Sequence, residues 1–169
     1  MAFVKKEIAD LQINPFTMIS KKWFLLSAGT LEDYNTMTCS WGAVGEIWNA
    51  PSVTAYVRTN RYTHEYLEKN QLFTISVFPE EYRKALAFCG SHSGRDCDKA
   101  KETGLTPVGL ENSISFAQAE LVFVCEKVYH QPMQAESFLD SENLGKFYAK
   151  DPMHDLYIGK ILAVYENQA

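Results

Sequence analysis

The chain has 169 residues, 46% of them hydrophobic and 22% charged, a composition that suits one folded domain (residues 1–169) and excludes a disordered or low-complexity chain. Its net charge of -5 and sequence pI near 5.4 argue against a nucleic-acid partner, which calls for a basic field to displace counterions from phosphates. The N-terminus, Met-Ala-Phe-Val-Lys-Lys-Glu-Ile, has no apolar signal core and no run approaches bilayer length, so a cytoplasmic protein with no membrane attachment is expected.

Residues 4–8 form a short strand candidate, and Asn14-Pro15 marks a turn or the start of a helical turn. The compact apolar run 23–28 predicts a strand buried on both faces. Gly29, Asp33 and Asn35 then turn the chain into residues 34–41, the second strand of an antiparallel hairpin. In that stretch Thr36, Thr38 and Ser40 alternate with Asn35, Met37, Cys39 and Trp41, which lines one face with hydroxyls. Buried hydroxyls need partners, which a polar planar ligand can supply. An edge strand turned to water accounts for the same pattern.

Residues 51–58 alternate with Val53, Ala55 and Val57 on one face and Thr54, Tyr56 and Arg58 on the other. A helix is predicted over 64–70, with Asn60 or Thr63 as N-cap. Arg58, Thr59, Arg61 and Thr63 therefore gather at a helix start, where amides, dipole and guanidinium groups favour an anion. A solvated turn with surface arginines is the alternative. Residues 72–78 alternate again as a strand, and 80–89 place Tyr82, Leu86 and Cys89 at helical spacing.

The loop 90–96 offers Ser91, Ser93 and Gly94, and a short helix over 97–102, capped by Asp96, carries Lys99. Such a loop either presents amides and hydroxyls to an anion or is an ordinary surface loop. It lacks P-loop spacing, and no GxGxxG occurs, so a Rossmann domain is not expected. Residues 115–129 read as one long strand, 137–150 as a polar connection with one helical turn, and 156–165 as a last strand interrupted by Gly159, at a bulge or a close ligand contact. The cysteines at 39, 89, 97 and 125 make no CxxC pair and the four histidines are scattered, so free thiols and no metal site are expected. Many strands with few short helices predict a closed β-barrel.

Five ordered blocks resemble the flavin reductase-like family of FMN-binding split barrels, which includes flavoredoxin. They are Asn35-x-Met37-Thr38-x-Ser40-Trp41-Gly42 with Pro51; Arg58-Thr59-x-Arg61-x-Thr63-x-Glu65; Cys89-Gly90-x-x-Ser93-Gly94-Arg95-Asp96-x-Asp98-Lys99; Gly104-Leu105; and His154-x-Leu156-Tyr157-Ile158-Gly159. Cys97, Ala100 and Lys160 depart from the usual pattern. The resemblance implies a mainly β fold, a six-stranded Greek-key split barrel with a few short helices. It further implies a homodimer with non-covalent FMN near the interface. By the same resemblance Asn35, Thr36, Met37, Thr38, Cys39, Ser40 and Trp41 line the flavin ring. Arg58, Thr59, Arg61 and Thr63 hold the phosphate, and Ser91, Ser93, Gly94 and Lys99 close the site. His154 matches a histidine near the flavin and is the implied catalytic residue. The implied activity is an oxidoreductase using NADH or NADPH as co-substrate to reduce flavin or another small acceptor. A flavoredoxin-like carrier, passing electrons to a protein redox partner without a nicotinamide, is the alternative.

Overall fold

The computed structural model describes residues 2–168. Its strands are β1 (Ala2–Lys6), β2 (Phe24–Gly29), β3 (Tyr34–Cys39), β4 (Gly42–Ile47), β5 (Ala50–Arg58), β6 (Leu72–Val77), β7 (Pro107–Leu110), β8 (Ser113–Phe116), β9 (Leu121–Pro132) and β10 (His154–Gln168). The helices are α1 (Pro15–Thr17), α2 (Tyr62–Lys69), α3 (Arg83–Ser91), α4 (Lys99–Thr103) and α5 (Ser141–Tyr148). Eight strands make one antiparallel sheet in the order β3-β2-β6-β9-β10-β5-β4, with β1 added to β10, while β7 and β8 pair separately.

The two ends of that order, β3 and β4, are joined in the chain by Ser40 and Trp41 alone. A single hydrophobic cluster takes Met37 and Cys39 from β3, Leu26 from β2, Phe73 and Ile75 from β6, Phe123 from β9, Tyr157 from β10 and Val57 from β5. The sheet is thus curled around one core and open along the β3–β4 seam, a split barrel. The six strands expected are eight in the sheet. The Gly-Ala-Val-Gly-Glu-Ile stretch of β4 carries no clear alternation, and its pairing with β5 is set by a hairpin whose Trp48 and Asn49 both take left-handed φ (53° and 57°).

All six residues of β2 are buried, which fits the two-sided burial expected of residues 23–28. Phe24, Leu26 and Ala28 enter the barrel, whereas Leu25 meets Leu86 and Cys89 of α3, Leu105, Phe116 and Val122 in a second cluster outside it. The single long strand expected over 115–129 is two. Gln118 turns the chain by accepting from the Thr106 amide and donating to the Gly104 carbonyl, so β8 ends at Phe116 and β9 begins at Leu121. β10 is longer than expected, and its register slips between Ile158 and Gly159. A Cβ at Gly159 would lie 2.4 Å from Phe73 Cζ, so glycine there makes room for a core ring.

Helix boundaries also differ. α2 begins at Tyr62 with Arg61 as N-cap and no side-chain cap, and α4 is capped by Asp98, whose carboxylate accepts from the Lys101 amide. The connection over 137–150 contains a real helix, α5, because Asp140 accepts from the Glu142 and Asn143 amides. No helix among the described residues is long and apolar enough to cross a membrane.

Candidate functional site

Strand alternation sends Val53, Ala55 and Val57 of β5 inward and leaves Tyr56 and Arg58 on the outer face. Antiparallel pairing sets His154, the first residue of β10, directly opposite Arg58. Across the seam come Met37, Thr38 and Cys39 of β3 with Ser40 and Trp41. Together with Arg61 these residues line a cleft of about 210 Å³. A larger recess of about 660 Å³ adjoins it, sharing Ser40, Trp41 and Tyr56 and adding Phe16, Ile19, Val44, Met133 and Tyr148.

His154 is 8% exposed. Its Nδ1 is 2.8 Å from the Tyr148 hydroxyl, and its ring lies 5.3 Å from that of Trp41. Burial, then the Arg58 and Arg61 charges, hold its pKa down at about 4, against a smaller opposing pull from Asp155. The imidazole is therefore neutral at neutral pH. Arg58 is already occupied: Nη2 donates to the Phe147 carbonyl at 3.0 Å and Nη1 to the Pro152 carbonyl at 2.9 Å, so it clamps α5 against β5. Arg61 is exposed and makes one such bond, to the Gly90 carbonyl at 3.1 Å.

β3 is an end strand, so alternate main-chain groups point to its open edge. At Thr36 that edge is taken, because Lys99 Nζ donates to its carbonyl at 2.8 Å. Two residues on, at Thr38, the same edge lies at the cleft. The hydroxyl row is largely satisfied by protein: Thr36 pairs with Ser27 and the Leu26 carbonyl, and Thr38 donates to the Leu86 carbonyl. Ser40 is exposed.

The remaining site residues named from the sequence fall elsewhere. Asn35, Thr36, Gly94 and Lys99 line a second small cleft with Cys97 and Asp98. Asn35 is buried and donates to the buried Thr63 hydroxyl at 2.7 Å. Lys99 is buried, with Nζ also donating to the Cys89 carbonyl at 2.9 Å, and desolvation lowers its pKa. Ser91 bonds carbonyls of its own helix, Ser93 accepts from the Arg95 amide, and Thr59 is exposed on the turn after β5. Cys39, although it also lines the first cleft, packs into the barrel core, its thiol pushed up to about 12 by burial against a smaller pull from Arg61. Sequence reasoning passed over Tyr56 and Tyr148. Tyr56 shares the strand face of Arg58, and Tyr148 follows Leu144 at helical spacing behind a capping Asp, so both carried a local signal.

A family model described as flavin reductase like domain matches residues 18–169. The chain belongs to that family. The resemblance drawn from the five sequence blocks is thereby borne out. Solved structures agree on the fold. The FMN-binding domain of a flavin reductases-like enzyme from Shewanella baltica OS155 superposes with TM-score 0.68 at 15% identity, over 98% of this chain and 77% of that one. Flavoredoxin of Desulfovibrio vulgaris (Miyazaki F) gives 0.68 at 20% identity, over 98% and 78%. An FMN-binding protein from Thermus thermophilus, with bound p-hydroxybenzaldehyde, gives 0.67 at 21% identity, over 98% and 83%. No curated protein sequence matches this chain.

Proposed function

We propose that this protein is an FMN-binding oxidoreductase that takes a hydride from NADH or NADPH and passes the two electrons to a flavin or another small acceptor. The observation that carries the reading is the union of two spaces: a polar cleft with a cationic end, and beside it an apolar recess of about 660 Å³ that shares Trp41 and Tyr56 with it. One suits a phosphorylated planar cofactor and the other a second planar partner.

The residues fit FMN. Arg61 offers an exposed guanidinium at the uncapped start of α2, where free amides and the helix dipole favour a phosphate. The open edge of β3 at Thr38 offers main-chain groups to the polar rim of a flavin ring. Trp41, Tyr56 and the neutral His154 supply a flat, mostly apolar wall. When bound, FMN supplies the hydride and single-electron chemistry. His154, oriented by the Tyr148 hydroxyl, is the group placed to steer a donor at that wall. A homodimer belongs to the same reading, with the second copy covering Phe16 (82% exposed) and Trp41 (41%) beside the recess.

The test is the absorbance spectrum of the purified protein, followed by stopped-flow mixing with NADH and with NADPH. A yellow protein bleached by one of them is expected. A flavin reduced by dithionite and by neither nicotinamide would assign the protein to electron carriage between protein partners. A colourless protein that refuses added FMN would sink both readings.

A further inference from the structure

At the barrel end next to α2, three elements far apart in sequence bring metal-ligating side chains together. Asp155 of β10 is buried, and its Oδ2 lies 2.8 Å from His64 Nε2 on α2 and 2.8 Å from His130 Nε2 on β9. Glu68 sits one turn after His64 on the same helix, so both face the same way. The donor atoms of His64, Glu68 and His130 all lie within 4.8 Å of one another, with Glu68 3.8 Å from His130 Nδ1, on the side of the ring away from Asp155. The His130 ring stacks on Tyr157 at 4.5 Å with 4° between planes, and the Tyr157 hydroxyl donates to Glu68 at 2.8 Å, so neighbours already hold two of the four groups.

We propose that His64, Glu68 and His130 bind one divalent transition-metal ion of the zinc class, with Asp155 holding the two imidazoles in place through their Nε2 atoms. Two imidazoles with one carboxylate match the nitrogen and oxygen donors such ions prefer, whereas magnesium and calcium favour all-oxygen sets. Asp155 accepts from Nε2 of both rings, which keeps a hydrogen there and leaves the Nδ1 lone pairs to an ion, as carboxylates behind ligating histidines do. Glu68, 45% exposed at its side chain, has the freedom to close on the ion. The ion ties α2 to β9 directly and to β10 through Asp155, which makes the site a structural clip. It fixes the start of the strand that carries His154, and it makes no use of the flavin cleft, because Asp155 and His154 face opposite sides of β10.

The test is titration of the full chain, stripped of metal by chelator, with Zn²⁺ by calorimetry and with Co²⁺ by visible absorbance, Mg²⁺ serving as control. One Zn²⁺ per chain, a rise in unfolding temperature and ligand-field bands with Co²⁺ are expected. The comparison variant is His64→Gln/His130→Gln, whose amides keep a donor toward Asp155 while removing the ligating nitrogens. Its unfolding temperature without metal should match the parent's, and its zinc response should be lost. A parent that binds Zn²⁺ no more tightly than this variant, or no better than Mg²⁺, overturns the proposal. Should the double variant fail to fold, Glu68→Ala decides: its exposed side chain tolerates removal, and undiminished zinc affinity rejects the ligand set.

Discussion

Lys99 Nζ donates to the main-chain carbonyl of Thr36 at 2.8 Å, tying α4 to the open edge of β3 across 63 residues of chain. The ammonium is buried, and its second bond goes to the Cys89 carbonyl. Replacement by Met removes this donor from the Cys89 carbonyl and leaves the Thr36 carbonyl only a long bond from Asn35 Nδ2 at 3.4 Å, at about 1–3 kcal/mol each before relaxation. Lys99→Met is therefore expected to lose about 2–4 kcal/mol of stability in urea unfolding. A loss well under 1 kcal/mol would mean that water replaces the ammonium.

Two glycines make opposite predictions. A Cβ at Gly94 would sit 1.9 Å from Asn35 Oδ1, which is held by the bond to Thr63, so Gly94→Ala displaces that pair and destabilises by about 1–3 kcal/mol. At Gly145, inside α5, nothing lies within 4 Å of the new Cβ. Gly145→Ala is expected to stabilise by about 0.5–1 kcal/mol through helix propensity alone. Thermal unfolding of both variants checks the pair.

The two arginines of the cleft separate by role. Arg61, with one weak protein partner, is available for a phosphate, and Arg61→Ala should weaken FMN binding by about 1.5–3 kcal/mol, roughly ten- to hundredfold, with little change in stability. Arg58 clamps α5 through Phe147 and Pro152, so Arg58→Met should expose residues 147–152 to limited proteolysis. Fluorescence titration with FMN and a protease time course distinguish the two effects.

His154→Ala should slow flavin reduction by a nicotinamide while leaving FMN affinity nearly intact. The Tyr148 hydroxyl orients the ring through Nδ1, so Tyr148→Phe should slow it in the same direction by a smaller factor. Single-turnover reduction rates measure both, and an unchanged rate in His154→Ala removes this residue from the chemistry.

Thiol chemistry offers a check on the core. Cys39 and Cys125 lie inside the barrel and Cys89 on the buried face of α3; burial pushes the Cys39 thiol up to about 12 and Cys89 up to about 11, the latter against a pull from Lys99. Cys97 is half-buried. A thiol reagent at pH 8 should label Cys97 alone in the native protein and all four cysteines in denaturant.

The amino-acid sequence by itself determined most of the strands and the family, but not β4 or the break between β8 and β9. The period of two over residues 51–58 and 72–78 is a local property that tertiary structure had only to use, and the five blocks stand in one order along the chain. The polar face at Thr36, Thr38 and Ser40 was equally legible. Its partners were not, because Ser27 and the Leu86 carbonyl reach it, and Lys99 reaches the Thr36 carbonyl beside it, only after the sheet curls. The same holds for Arg58, whose charge suggests a phosphate until α5 closes on it. His64, His130 and Asp155 look solitary along the chain, and only the pairing of β10 with β5 and β9 sets them around one carboxylate. Local periodicity specifies which face of an element is buried. What that face meets depends on contacts between residues dozens of positions apart, which are fixed when the barrel closes.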